Sequence, residues 1–264
     1  MRWLDTALDR SVVLGYSKLG FRVRATSWAD EELAPGALVG RTVVVTGATS
    51  GIGAAIAGRV ADLGGAAVLV GRNPDRAQEV RAGIIRRNPA AVVRIELGDI
   101  SDPADVRDLA ARLSEGPVDG LVHNAGVMPS ARTESSGGHE LSLATHVLGP
   151  ILLTELLLPR LAESDDARVI FMSSGGMYTA ELPVDDIEYR SSEYQGARAY
   201  ARTKRIQGAL LAPLAARWAP AGVMVAGMHP GWVDTPGVSD SLPRFARMAG
   251  PLLRSAAQGA DTAV

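Results

Sequence analysis

Tyr200 and Lys204 stand four residues apart in the run Tyr200-Ala201-Arg202-Thr203-Lys204, in a chain whose only other lysine is Lys18. Arginine supplies the remaining positive side chains, so a lysine at this spacing reads as placed for its chemistry. On a helix, positions i and i+4 share a face, which aims phenol and ammonium at one place. A neighbouring cation favours phenolate and draws a tyrosine down from its usual value of about 10 toward working pH. The pair is then a candidate proton donor and acceptor. The plainer reading is an amphipathic helix with one buried tyrosine and one solvated lysine.

A second constellation gives this pair a reaction. The β-branched run Thr42-Val43-Val44-Val45-Thr46 enters Gly47-Ala48-Thr49-Ser50-Gly51-Ile52-Gly53, and residues 54–63 then carry a helical pattern. Strand, glycine-rich turn and helix, in that order, form the context a dinucleotide site requires. Gly47 allows the tight turn, Gly51 lets backbone approach a diphosphate, and Gly53 permits close helix packing. The helix N-terminus adds unpaired N–H groups and a positive dipole end. The spacing is G-x-x-x-G-x-G rather than G-x-G-x-x-G.

The elements that must hold these residues alternate along the chain. Strands are predicted at 42–46, 67–70, 92–97, 120–123, 168–172 and 223–228, and helices at 54–63, 74–87, 103–114, 139–163 and 199–218. Apolar strands alternating with helices imply one α/β unit, a doubly wound, Rossmann-type parallel sheet covered on both faces. Pro74 and Pro103 sit where a helix's first turn needs no N–H, with Asn73 and Asp102 as caps. The non-periodic stretches 179–198 and 231–251 fall beyond strand carboxyl ends, where open sheets bind ligands, and are read as enclosing a substrate. Met177, Leu182, Trp232 and Leu242 near that mouth point to a lipophilic one. A last helix starts near Ser255.

Bulk properties remove several functions. A net charge of −2 over 264 residues, with no basic tract, speaks against nucleic acid. The chain has no cysteine, which excludes disulfides and thiolate chemistry and suits a reducing, cytoplasmic setting. The four histidines, His123, His139, His146 and His229, lack metal-ligand spacing, so no metal is expected. No run reaches the ~18 uninterrupted apolar residues of a membrane span. Asp5, Asp9 and Arg10 interrupt any signal-peptide core. Leu4, Leu8 and Val12 recur every four residues beside Trp3, so 1–19 reads as an amphipathic helix packed on its own domain or touching a membrane surface. The expected division is an N-terminal extension over 1–40 and a dinucleotide-binding domain over 41–264.

Cofactor preference follows from the end of the second strand, Val70-Gly71-Arg72-Asn73. An NAD site usually places a carboxylate at the Gly71 position, where it bonds the ribose hydroxyls. Here the acid is missing and Arg72 follows, a residue able to fork onto a 2′-phosphate. NADP(H) is therefore expected over NAD(H).

From Arg41 to Thr235 the chain resembles the short-chain dehydrogenases/reductases, in the 46–53 turn, Asn124-Ala125-Gly126, Ser174, Tyr200 with Lys204, and Pro230-Gly231 with Thr235. The segments 172–177, 228–238 and 257–262 are similar to the dehydrogenase/reductase member-twelve subgroup. The resemblance implies an alcohol dehydrogenase or carbonyl reductase acting on a small-molecule carbonyl or alcohol. It implies Ser174, Tyr200 and Lys204 as catalytic residues, with Tyr200 giving the proton and Lys204 bonding the nicotinamide ribose. Ser173 is the lesser candidate, because 26 positions separate Ser174 from Tyr200. Ser50 and Ile52 in the turn, Asp99 and Ile100 near the adenine, Asn124-Ala125-Gly126, Pro230, Gly231, Val233 and Thr235 are implied cofactor contacts. The resemblance further implies a homodimer or homotetramer, and a last strand that this chain is expected to lack. His146 stands where relatives carry an asparagine that helps hold a relay water, and is read as a structural or relay residue. The rival reading is a non-catalytic NADP(H)-binding sensor or scaffold. A sugar-nucleotide epimerase or dehydratase is less favoured, because the chain lacks room for a larger substrate lobe.

Overall fold

Val44 and Val45 are both fully buried, and on an extended strand neighbours face opposite sides. The same holds for Val68 and Leu69. A sheet apolar on both faces must be covered on both, and the architecture follows from that requirement. The computed structural model describes residues 11, 15–26, 33–235, 237 and 247–264. Its elements are helix α1 (Lys18–Ala25), strand β1 (Thr42–Thr46), α2 (Gly51–Asp62), β2 (Ala66–Gly71), α3 (Pro74–Arg87), β3 (Val93–Leu97), α4 (Pro103–Leu113) and β4 (Gly120–His123). There follow α5 (Leu141–Leu161), β5 (Arg168–Met172), α6 (Gly196–Trp218), β6 (Met224–Met228) and α7 (Ala256–Ala260).

The six strands pair in parallel in the order β3-β2-β1-β4-β5-β6. This is the doubly wound α/β sheet that the sequence pattern predicts. On one face Val44, Val68 and Val70 meet Leu109 of α4, Leu153 and Leu157 of α5 and Trp218 of α6. On the other, Val45 and Leu69 meet Ile56 and Val60 of α2, Ile84 of α3 and Ala260 of α7. The order in which strands are added reverses between β1 and β4, so the turn after β1 opens onto a crevice at the carboxyl ends of the strands.

Local rules set the helix starts. Asn73 accepts from the Arg76 N–H (2.9 Å), and Asp102 accepts from the Ala104 N–H (2.8 Å), as cap residues should. Ser255 and Gln258 close a capping box at the head of α7. Helix α5 begins two residues later than the sequence pattern suggests. The buried Glu140 carboxylate takes the amides of Ser142 (3.0 Å) and Leu143 (2.7 Å), which makes it the cap. By length and composition α5 would span a membrane, with mean hydropathy 1.7, but most of it is buried within the fold.

Helix α5 contains one wide turn, Ala144–Leu148, in which the Gly149 N–H reaches back to the Ala144 carbonyl. Its cause is Pro150, which has no N–H to give the His146 carbonyl four residues earlier and would crowd it in an ordinary turn. Gln207 of α6 donates to that carbonyl instead, at 2.6 Å. Just after this turn, Gly149 packs against the loop that follows β3. A Cβ there would lie 1.8 Å from the Ile100 carbonyl oxygen. Gly149→Ala is expected to destabilise the fold by about 1–3 kcal/mol or more and to lower Tm by about 5 °C or more, measured by calorimetry.

The predicted leader helix over 1–19 is interrupted in its described part. Ser17 is extended (φ −89°, ψ 167°), and α1 begins after it, at Lys18. Trp3, Leu4, Leu8 and Val12 lie outside the described residues, as do 238–246 of the predicted mouth segment, with Leu242 among them.

Candidate active site

The turn after β1 is shaped by hydrogen bonds from below. The Thr46 hydroxyl accepts the amides of Asn124 (3.0 Å) and Ala125 (3.1 Å), and the Asn124 side chain donates to the carbonyls of Thr46 (3.0 Å) and Gly47 (3.2 Å). Asn124 is thus spent on joining the ends of β1 and β4. Thr46, fully buried at the start of the predicted 46–53 turn, organises that turn from below. Gly47 and Gly51 adopt φ of 66° and 53°, in the left-handed region. A Cβ on Gly53 would stand 2.4 Å from the Gly47 carbonyl oxygen, which is the close helix packing predicted for it.

A cleft of about 490 Å3 runs from this turn across the strand ends. Of the sequence-predicted residues, Gly47, Ser50, Gly51, Ile52, Arg72, Asp99, Ile100, Asn124, Ala125 and Gly126 line it, with Ser174, Tyr200, Pro230, Gly231, Val233 and Thr235. Gly53 and Lys204 stand behind the wall. The cleft fits a dinucleotide: its narrow glycine turn would be filled by side chains, and Ser50 leaves the first turn of α2 without a side-chain cap.

At the Arg72 end, a Cβ on Gly71 would meet Thr49 Cγ2 at 2.4 Å, so no acid can occupy that position without displacing Thr49. Arg72 donates to Asp99 Oδ2 at 3.1 Å. Partial burial pushes the Asp99 carboxyl up, but bonds from Ser101 and Arg72 outweigh it and hold the group below its ordinary value. Arg76, in the first turn of α3, also lines the cleft and was missed in the sequence. Its signal was an arginine three residues past the Asn73 cap, at the positive end of a helix, one turn from Arg72.

At the other end, the Tyr200 phenol and the Ser174 hydroxyl are near neighbours across Gly176. Ser174 Oγ also accepts the Gly176 N–H (3.2 Å). Ser173 turns elsewhere, its hydroxyl against Met177 Sδ at 3.4 Å. The geometry therefore brings Ser174, and not Ser173, to the phenol. Lys204 is 3% exposed; its Nζ donates to the Met172 carbonyl at 2.6 Å and lies 5.6 Å from the Tyr200 ring centre.

The electrostatics differ from the sequence expectation. Burial raises the Tyr200 phenol above its usual value, opposed by the neighbouring Ser174 hydroxyl rather than by Lys204. Burial also lowers Lys204, to about 7. An i, i+4 rule cannot foresee this, because it counts spacing and not the water removed when β5 and α6 close over the ammonium.

His146 is fully buried. Its Nε2 accepts the Val127 N–H (3.0 Å), so Nδ1 carries the proton and donates to Thr203 Oγ1 (2.7 Å), whose own proton goes to the Tyr200 carbonyl. Burial, then the charge of Lys204, keeps the ring neutral. Of the two roles considered for it, this supports the structural one: the imidazole props the Tyr200 ring edge-on, centroids 5.2 Å apart. His123 is likewise buried, bonded to Thr154 (2.8 Å) and lowered to about 3 by burial and then by Lys204.

Residues 41–244 match the short chain dehydrogenase family. The chain belongs to the short-chain dehydrogenases. Dehydrogenase/reductase SDR family member 12 of Bos taurus is 38% identical over 250 residues, 94% of this chain and 77% of that protein. The Homo sapiens protein of the same name is 36% identical with the same coverage. The structure of a 3-oxoacyl (acyl-carrier-protein) reductase from Agrobacterium tumefaciens C58, with NADP bound, is 26% identical, covers 86% of each chain and superposes with a TM-score of 0.67. This short-chain dehydrogenase is accordingly a member of an oxidoreductase family.

Proposed function

We propose that this protein interconverts a carbonyl compound and its alcohol, using NADP(H) in preference to NAD(H), on small to medium lipophilic substrates in the cytoplasm. The observation that carries this reading is the Ser174–Tyr200 hydroxyl pair on the cleft wall with a buried lysine behind it. The NADP bound by the 26%-identical reductase gives it further support. Bound in the cleft, the nicotinamide would supply or take the hydride. Ser174, with Gly176 holding its oxygen, donates to the substrate oxygen and orients it. Tyr200, kept protonated by burial, gives its proton to that oxygen as charge develops there. Lys204, now bonded to the Met172 carbonyl behind the wall, would turn to hold the nicotinamide ribose. Arg72 and Arg76 take the 2′-phosphate; the exposed Arg72–Asp99 pair is worth only about 0–1 kcal/mol and does not hold Arg72 back.

The test is to incubate the full chain with NADPH and a panel of aldehydes and ketones and follow NADPH consumption. Binding of NADPH with no consumption by any carbonyl, and no NADP+ reduction by any alcohol, would instead favour a non-catalytic nucleotide sensor. For the cofactor, Arg72→Asp is expected to lower the NADPH-over-NADH ratio of kcat/KM by about 100-fold, since it replaces a charge-assisted fork with a repulsive carboxylate. An unchanged ratio would remove the argument for NADP(H).

A further inference from the structure

The segment Gly15–Ser17 is bolted beside the proposed catalytic end of the cleft. Arg254, 8% exposed, donates to three carbonyls: Gly15 (2.9 Å), Ser17 (3.3 Å) and Pro230 (3.0 Å). Its guanidinium reaches them only because Gly231, at φ 80°, has no side chain; a Cβ there would lie 2.6 Å from Arg254 Cζ. The guanidinium also lies over the Phe21 ring at 5.4 Å. The backbone adds rungs in the same direction, Trp232 N–H to the Tyr16 carbonyl (2.8 Å) and Arg254 N–H to the Trp232 carbonyl (2.6 Å). A leader fixed by this many bonds holds its side chains in place.

The side chain so held is Tyr16. Its ring lies 4.3 Å from that of His229 and 6.2 Å from that of Trp232, nearly parallel to the latter at 22°. Its edge packs on Gly175, where a Cβ would be 3.4 Å from Tyr16 Cε1. Gly176 comes next, and a Cβ on it would be 3.4 Å from Ser174 Oγ and 3.9 Å from Tyr200 Cε1. Two residues without side chains are therefore what separates the Tyr16 ring from the hydroxyl pair. A substrate whose oxygen sat on Ser174 and Tyr200 would have this bare strip as its path toward the stacked rings. Rings in such a stack offer flat apolar faces and edges, which reward a planar body over a flexible chain.

We infer that the N-terminal segment belongs to the substrate site, with Tyr16 a specificity-determining residue that selects carbonyl compounds carrying a flat ring system next to the carbonyl. This rests on the carbonyl–alcohol reading of the cleft. The test is calorimetric binding of two probe ketones, 2-acetylnaphthalene and 2-octanone, to the full chain saturated with NADP+, where no turnover occurs. Tyr16→Leu is expected to weaken the naphthyl ketone about tenfold and 2-octanone by less than about twofold, while Tyr16→Phe binds both like the wild type. Trp232→Leu, which removes a second ring of the stack, should weaken the naphthyl ketone in the same direction. It decides the matter if Tyr16→Leu has lost its NADPH affinity through misfolding. Equal losses for the two ketones, or no loss for either, overturn the proposal while leaving the reductase reading intact. A wild-type chain that binds NADPH yet neither binds nor reduces either ketone sinks the reading beneath it.

Discussion

Tyr200→Phe is expected to lower kcat by about 10²–10⁴-fold while leaving NADPH affinity within about threefold of wild type. The substitution removes one oxygen from a ring that is otherwise held by packing, edge-on against His146 and four residues from Lys204. What goes with that oxygen is the proton delivered to the developing alkoxide, an interaction made chiefly in the transition state, so kcat falls and binding does not. Ser174 still donates to the substrate oxygen, which leaves some activity. Steady-state NADPH oxidation and a fluorescence titration of NADPH separate the two effects. Full turnover in Tyr200→Phe would show that the proton comes from elsewhere.

Lys204→Met should produce the second-largest loss, about 100-fold in kcat/KM, because a charge-assisted bond to the cofactor and a cation beside the reacting oxygen disappear together. The same residue has a proton signature. Burial lowers Lys204 from an ordinary lysine value near 10.5 to about 7. Between those values the unfolded chain holds a proton that the folded chain does not, so this residue makes stability rise with pH across that window. Below about 7 both states are protonated, and folding carries the full cost of a buried ammonium, on the order of 5 kcal/mol by linkage. Lys204→Met should therefore be more stable than wild type at pH 7, with the difference shrinking toward pH 9 in thermal melts. An anionic cofactor favours the ammonium and raises its pKa again. Wild type should take up close to one proton on binding NADPH at pH 8 and Lys204→Met none, read by calorimetry in two buffers of different ionisation enthalpy. Equal proton uptake in both would mean that Lys204 is not the group being charged.

The amino-acid sequence by itself determined the α/β class, the strand positions, the glycine turn and the Tyr200–Lys204 spacing. Each of these rests on a short-range rule: an unbroken apolar run in Val43-Val44-Val45, a Pro with its cap at Asn73 or Asp102, a turn that only glycine can make. It also contained the cause of the wide turn in α5, since Pro150 stands four residues after His146. Its consequence for Gln207, 61 positions away from His146, lies in no local pattern. Tertiary structure alone decided the protonation of the pair, because the charge on Lys204 depends on how much water β5 and α6 exclude. It alone chose Ser174 over Ser173, by turning the one hydroxyl to Tyr200 and the other to Met177. It alone carried Tyr16 to Gly175, through Arg254, which is more than two hundred residues from the Gly15 and Ser17 carbonyls it clamps. Desolvation and packing between distant segments are properties of the closed molecule, and no window of sequence contains them.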